Sequence, residues 1–268
     1  MPSSRRRSRR STPTAPHRCC RAAFRTRSTR IIPERVTERI VARTKTWRTD
    51  APVGHGIPRQ DYLTERHGVP SHVRQRLVML HDPMSHSYGS GSLITLHHPT
   101  QGVQCAVLTC KHVVPTIQAA EHISLRTGYL RHDAGAVHSL LPVQLYISDA
   151  ANDVCLCACD AACPAHSIRV GKVSVRQTVT VLQHPNAAPA TVVDGRVTRI
   201  DRDAFEHTAD TLPGSSGAGI FTMSKMRPQT WHLVGVHCGA DEDRPINLGF
   251  RVNALFARAA SMGWRITR

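Results

Sequence analysis

The sequence predicts an all-β fold, a barrel or sandwich, with one C-terminal helix and a disordered basic arm in front of it. Three observations carry this. Short β-like runs recur from residue 92 onward, separated by clusters of Gly, Pro, Asn and Asp. A helical pattern opens at Asn253 and stops at Gly263. The net charge of +16 is concentrated at the start: residues 1–60 hold 16 Lys/Arg and 3 Asp/Glu, whereas residues 61–268 hold 19 and 16.

The first 30 residues contain ten arginines, no acidic residue and no apolar run, and are rich in Ser, Thr and Pro. Such a segment buries too little apolar surface to offset its chain entropy, so it is expected to be disordered. Arg5-Arg6-Arg7-Ser8-Arg9-Arg10 suits nuclear import or nucleic-acid binding. An Arg-rich, acid-free start also suits a mitochondrial transit peptide, and a plain solvated tail is the third reading. No apolar stretch of secretory type follows Met1, and no run has the length of a membrane span. The expected setting is therefore intracellular and not secreted, with nuclear or mitochondrial targeting open and no membrane partner. Residues 31–60 mix charge with Pro and Gly and read as a linker with a short helix near 34–44. The chain thus divides into an arm and linker at 1–60 and a folded domain at 61–268, with compact structure starting between Asp61 and Leu77.

Strands are expected at 92–97, 104–109, 122–125, 143–147, 154–159, 173–182, 191–193, 196–200, 219–222, 233–237 and 250–252. Asp194-Gly195 has the composition of a two-residue hairpin turn. Asn253 is placed to cap a helix over 254–262, with Gly263 as its stop. Nine cysteines, an odd number without an export signal, point to reduced thiols. Cys155, Cys157 and Cys159 share one face of a strand. With Cys163 they offer a metal reading, but the spacing is not that of a zinc site, and small buried hydrophobes fit better. No metal or cofactor is called for.

The chemistry centres on Thr211-Leu-Pro-Gly-Ser-Ser-Gly-Ala-Gly-Ile-Phe221. A serine hydroxyl needs a nearby base and donors aimed at the oxyanion that forms. Glycines on either side let the chain turn sharply, so the N–H groups of Gly214 and Ser216 can point into one hole. Upstream, a β-like run ends in Thr109-Cys110-Lys111-His112, a rigid place to hold an imidazole base. Between them, Asn152-Asp153 precedes the apolar run from Val154, where an acid can fix the imidazole tautomer. Asp149 is a rival acid but is not directly joined to that run.

The order His112, Asp153, Ser216 resembles the chymotrypsin-type triad. Leu-Thr-Cys-Lys-His-Val-Val is similar to the family's Leu-Thr-Ala-x-His segment, Asn-Asp-Val-Cys-Leu to its Asp-Ile-Ala-Leu strand, and Pro-Gly-Ser-Ser-Gly-Ala to its Gly-x-Ser-Gly element. Gly91-Ser92-Leu93-Ile94 resembles the strand that precedes the histidine. Together these span roughly residues 85–268. The resemblance to trypsin/chymotrypsin-fold serine peptidases implies two six-stranded antiparallel β-barrels with the site at their junction. It also implies Ser216 as nucleophile, His112 as general acid/base, Asp153 as its orienter and a protein or polyprotein substrate. Cys110 stands where alanine is usual, and Gly219 where proline is usual.

Thr211, followed downstream by Gly235-Val236-His237, resembles glutamyl endopeptidases and viral polyprotein-processing proteases, in which equivalent residues line the primary pocket. That implies cleavage after Glu or Gln. Asp210 is the rival, since an acid near that position selects Arg or Lys in trypsin-like pockets. A different class of function is also open: a nucleic-acid-binding or interaction protein on this fold, with the basic arm as its working part.

Overall fold

The computed structural model describes residues 61–62, 68–129, 135–166, 168–224, 230–240 and 246–266. The basic arm, the linker and the helix expected near 34–44 lie outside the described residues. In chain order the strands are β1 (Asp61–Tyr62), β2 (Leu77–Asp82), β3 (Ser87–His98), β4 (Gly102–Cys110), β5 (Ser124–Thr127), β6 (Ala136–Ser139), β7 (Tyr146–Asp149), β8 (Val154–Ala158), β9 (Arg169–Val170), β10 (Thr178–Gln183), β11 (Thr191–Ile200), β12 (Ala204–His207), β13 (Gly219–Met223), β14 (Trp231–Ala240), β15 (Asn247–Phe250) and β16 (Arg265–Ile266). Among the described residues three α-helices accompany them: α1 (Ser71–Arg74), α2 (Ile117–Ala120) and α3 (Asn253–Ser261).

The strands form two sheets. In one, β11-β10-β13-β14-β15-β12 pair antiparallel in sequence around a circuit that β12 closes onto β11, giving a six-stranded barrel. The other runs β6-β5-β2-β3-β4-β8-β7. A single antiparallel bridge from Leu140, just after β6, to Cys159, just after β8, brings the ends of its six-strand path β6-β5-β2-β3-β4-β8 together. Closure removes the unpaired sheet edges that invite association.

Period-two alternation explains how so many strands are buried on both faces. On β8, Val154, Leu156 and Ala158 face a core shared between the two sheets, with Phe221, Val236 and Phe250 from the barrel. Cys155, Cys157 and, just beyond, Cys159 face the interior of their own sheet with Val78, Leu80 and Val107. The barrel has its own filling of Val179, Val181, Phe205 and Ile220. The thiols therefore serve as small apolar side chains. Burial pushes that of Cys157 up to about 12, and among the described residues the cysteines of this run form no metal-ligand group with Cys163.

Several expectations need correction. Asp194-Gly195 is not a hairpin turn: β11 runs unbroken from Thr191 to Ile200, and Val179 and Thr180 of β10 pair across to Gly195 and Asp194. Gly195 serves a close approach instead, since a Cβ there would sit 2.2 Å from the backbone nitrogen of Ala209. Asp194 accepts a hydrogen bond from Thr180 Oγ1 at 2.6 Å. The strand expected at 173–182 begins only at Thr178, because Ser174 and Gln177 close a turn through two hydrogen bonds. Asn253 is the first helical residue and not the cap; Val252 occupies that place. The helix stop is as expected. Gly263 has φ +91°, its N–H donates to Ala260 and that of Trp264 to Ala259, a Schellman ending. β1, β2, β6, β9, β12 and β16 were not expected. Among the described residues no helix is long and apolar enough to cross a membrane.

Candidate active site

His112 follows the end of β4, and Asp153 immediately precedes β8, the strand paired with β4. Cys110 pairs with Val154, so the two side chains are brought together by strand register. Asp153 Oδ2 lies 2.5 Å from His112 Nδ1, and Asp153 Oδ1 accepts the backbone N–H of His112 at 2.9 Å. The Asp153 carbonyl accepts the N–H of Lys111 at 3.0 Å. While accepting from these donors Asp153 sits at φ +46°, a left-handed conformation that aspartate tolerates better than most residues. A carboxylate only accepts, so the proton of this contact is on Nδ1, the tautomer in which the neutral ring has Nε2 as its acceptor. The carboxylate is buried, while the imidazole is 42% exposed.

Ser216 lies in the turn leading into β13. Its carbonyl accepts the N–H of Ser90 at 2.8 Å. Gly217 follows at φ +88°, and a Cβ there would collide with Ser90 O and Thr109 Oγ1, both at 2.1 Å, so only glycine fits. The carbonyl of His237 accepts from both the Gly217 N–H at 2.8 Å and the Cys110 thiol at 3.2 Å. One oxygen thus ties the segment carrying His112 to the loop carrying Ser216. Among the described residues no hydrogen bond joins Ser216 Oγ to His112; such bonds commonly tighten only when substrate binds. Ser215, by contrast, is fully buried, and its Oγ accepts the Leu212 N–H at 3.2 Å.

Gly214 turns at φ +85°, and among the described residues its N–H and that of Ser216 donate to no protein acceptor. The loop is held from behind by Ser90, whose Oγ donates to Gly214 O at 2.8 Å and accepts the His184 N–H at 2.8 Å. Sequence reasoning passed over Ser90. The Gly89-Ser90-Gly91 pattern was the available signal, since small residues mark strands that other backbone approaches closely.

Thr211 and His237 are both buried, His237 to 2% exposure. Thr211 Oγ1 donates to Asn247 Oδ1 at 2.8 Å, and Asn247 Nδ2 donates to Ala209 O at 2.6 Å. The His237 ring meets that of His207 edge-on at 5.5 Å, and its buried Nδ1 has no hydrogen-bond partner among the described residues. Burial, then the neighbouring His207 and His112, hold His237 well below the ordinary imidazole range. Burial alone lowers His207 to about 3. Both rings are neutral at neutral pH. His207 was the residue missed here; its charged neighbourhood in sequence hid a strand. Asp210 is exposed.

The trypsin-like peptidase domain family matches residues 89–236, more than half of the chain. No curated protein sequence matches it. Among solved structures, one of a Glu endopeptidase in complex with MPD is similar at TM-score 0.56 and 18% identity, covering 76% of this chain and 95% of that one. The inactive form of a mutant of Rv3671c from M. tuberculosis H37Rv is similar at TM-score 0.55 and 17% identity, with 78% and 97% covered. The serine endoprotease from Yersinia pestis is similar at TM-score 0.56 and 18% identity, with 75% and 67% covered.

Proposed function

Because the chain belongs to the trypsin-like peptidase family, we propose that it is a serine endopeptidase whose reacting groups are His112, Asp153 and Ser216. The observation that carries this reading is the two-point hold of Asp153 on His112, at ring nitrogen and backbone N–H. It is the arrangement a general base needs: fixed orientation, fixed tautomer and a carboxylate against the imidazolium that forms. Ser216 Oγ attacks the scissile carbonyl and passes its proton to His112 Nε2. The oxyanion is met by the N–H groups of Gly214 and Ser216. Collapse breaks the C–N bond, His112 protonates the leaving amine, and water then hydrolyses the acyl-enzyme by the same base.

For the primary pocket we propose Thr211 and His237, and cleavage after Glu or Gln. A neutral imidazole can donate to a carboxylate or amide oxygen in a dry site, and so can the Thr211 hydroxyl once its proton turns from Asn247 to substrate. Of the solved structures similar in fold, one is a Glu endopeptidase. The exposure of Asp210 disfavours the Arg/Lys alternative. In this reading residues 61–268 are the peptidase domain, and residues 1–60 serve targeting or tethering.

A peptide-library digest tests the proposal, comparing wild type with Ser216→Ala and reading the residue before each cut. Cuts after Glu or Gln that vanish in the variant support triad and pocket together. Cuts after Arg or Lys keep the triad and return the pocket to Asp210. Absence of serine-dependent cuts in a folded protein refutes the enzyme reading and leaves the arm as the working part.

A further inference from the structure

The groups behind the imidazole have a chemistry that proton transfer does not use. Cys110 Sγ, one ring nitrogen of His112 and one carboxylate oxygen of Asp153 all lie within 4.8 Å of one another. A second thiol, Cys238 Sγ, is 3.0 Å from Cys110 Sγ and 3.7 Å from the Asp153 carbonyl oxygen. The four residues come from the end of β4, the segments after β4 and before β8, and β14, so both sheets contribute. Two thiols, an imidazole and a carboxylate are the donor set that zinc and its thiophilic relatives select, whereas magnesium and calcium prefer oxygen alone.

We propose that Cys110, His112 and Asp153, with Cys238 as the fourth donor, form an inhibitory site for a thiophilic divalent cation of the zinc class. The cation takes the place of the proton between His112 Nδ1 and Asp153 Oδ2. That proton moves to Nε2 as the imidazole changes tautomer, and each thiol that ligates releases its proton to solvent. Zinc bonds of about 2.0–2.3 Å require the present 2.5 Å and 3.0 Å separations to widen by less than roughly an ångström. With the proton on Nε2, His112 cannot accept from Ser216, so a loaded site is a silenced one. Alanine, usual in the family where Cys110 stands, supplies no such ligand.

The inhibitory consequence rests on the catalytic reading of His112; the metal site itself does not. The test therefore reads both, on the full chain kept reduced by a phosphine. Cobalt(II) is added as a spectroscopic probe, and hydrolysis is followed separately while zinc is titrated. The expected result is a near-ultraviolet thiolate-to-cobalt band in wild type and zinc inhibition that a chelator reverses. Cys110→Ser, which keeps the volume, and Cys110→Ala should each weaken binding at least about 10-fold, with melting curves confirming the fold. Loss of the cobalt band on adding zinc links the two ions to one site. A wild-type protein with neither band nor inhibition overturns the proposal. So does a band that persists with undiminished cobalt affinity in both Cys110 variants, which places the ion on cysteines outside this cluster. A cobalt band at Cys110 in a protein with no peptidase activity upholds the metal site and refutes the catalytic reading.

Discussion

Replacing Asp153 by asparagine exchanges one oxygen for an amide nitrogen and leaves the shape of the side chain intact. The Oδ1 acceptor of the His112 backbone N–H, at 2.9 Å, can be kept. The amide NH2 then occupies the Oδ2 position, 2.5 Å from His112 Nδ1. Two donors cannot face each other at that distance, so the ring takes its other tautomer, with the proton on Nε2. Nε2 is then a donor where the mechanism needs an acceptor, and the imidazolium loses its carboxylate. In triads of this type such a change lowers kcat by about 10⁴-fold, or roughly 5 kcal/mol of transition-state stabilisation. The assay is steady-state hydrolysis of a peptide amide, with KM and kcat separated and a melting curve in parallel. A folded Asp153→Asn protein that keeps more than about a tenth of wild-type kcat would show that Asp153 does not orient the base.

Three further outcomes follow from the same structure. Thr211→Val removes a hydroxyl that donates to Asn247 and that the proposed pocket offers to substrate. It should cut kcat/KM for Glu or Gln substrates by about 10–100-fold, with a smaller effect on other residues in the same digest. Gly195→Ala puts a methyl 2.2 Å from the Ala209 nitrogen; urea unfolding should show a loss of about 1–3 kcal/mol. Stability should also fall as pH drops. His184 and His207 are held by burial to about 4 and about 3, below the unfolded value. Between that value and the folded ones the unfolded chain binds more protons, so stability rises with pH across the window from about 3 to about 6.5. Melting temperature against pH, for wild type and His207→Phe, reads this: the variant should have the flatter slope.

The placement of His112, Asp153 and Ser216 next to strands was legible because each of those strands has an apolar run continuous in sequence. Thr109-Cys110 and Val154-Cys155 are buried on both faces, and that pattern does not depend on distant partners. β12 was not legible. Ala204-Phe-Glu-His207 has one large apolar residue and charges on either side, and its pairing with β11 and β15 supplies what local pattern lacks. Asp194-Gly195 misled for the converse reason. A dipeptide that fits a hairpin also fits a strand interior where a neighbouring backbone presses close, and only the fold tells the two apart. Ser90 and His207 share a limitation of another kind: their roles are to hold Gly214 and to face His237, which are tertiary relations with no signature in their own neighbours.

The measurement that tests the central claim most directly is covalent labelling with a fluorophosphonate, followed by peptide mapping in a mass spectrometer. Such a reagent is attacked by an activated serine and needs no knowledge of the natural substrate. The expected result is one adduct per chain, on Ser216, lost in His112→Ala while the fold persists. Wild-type protein that is folded and unlabelled, or labelled equally well without His112, or labelled on Ser215, would contradict it.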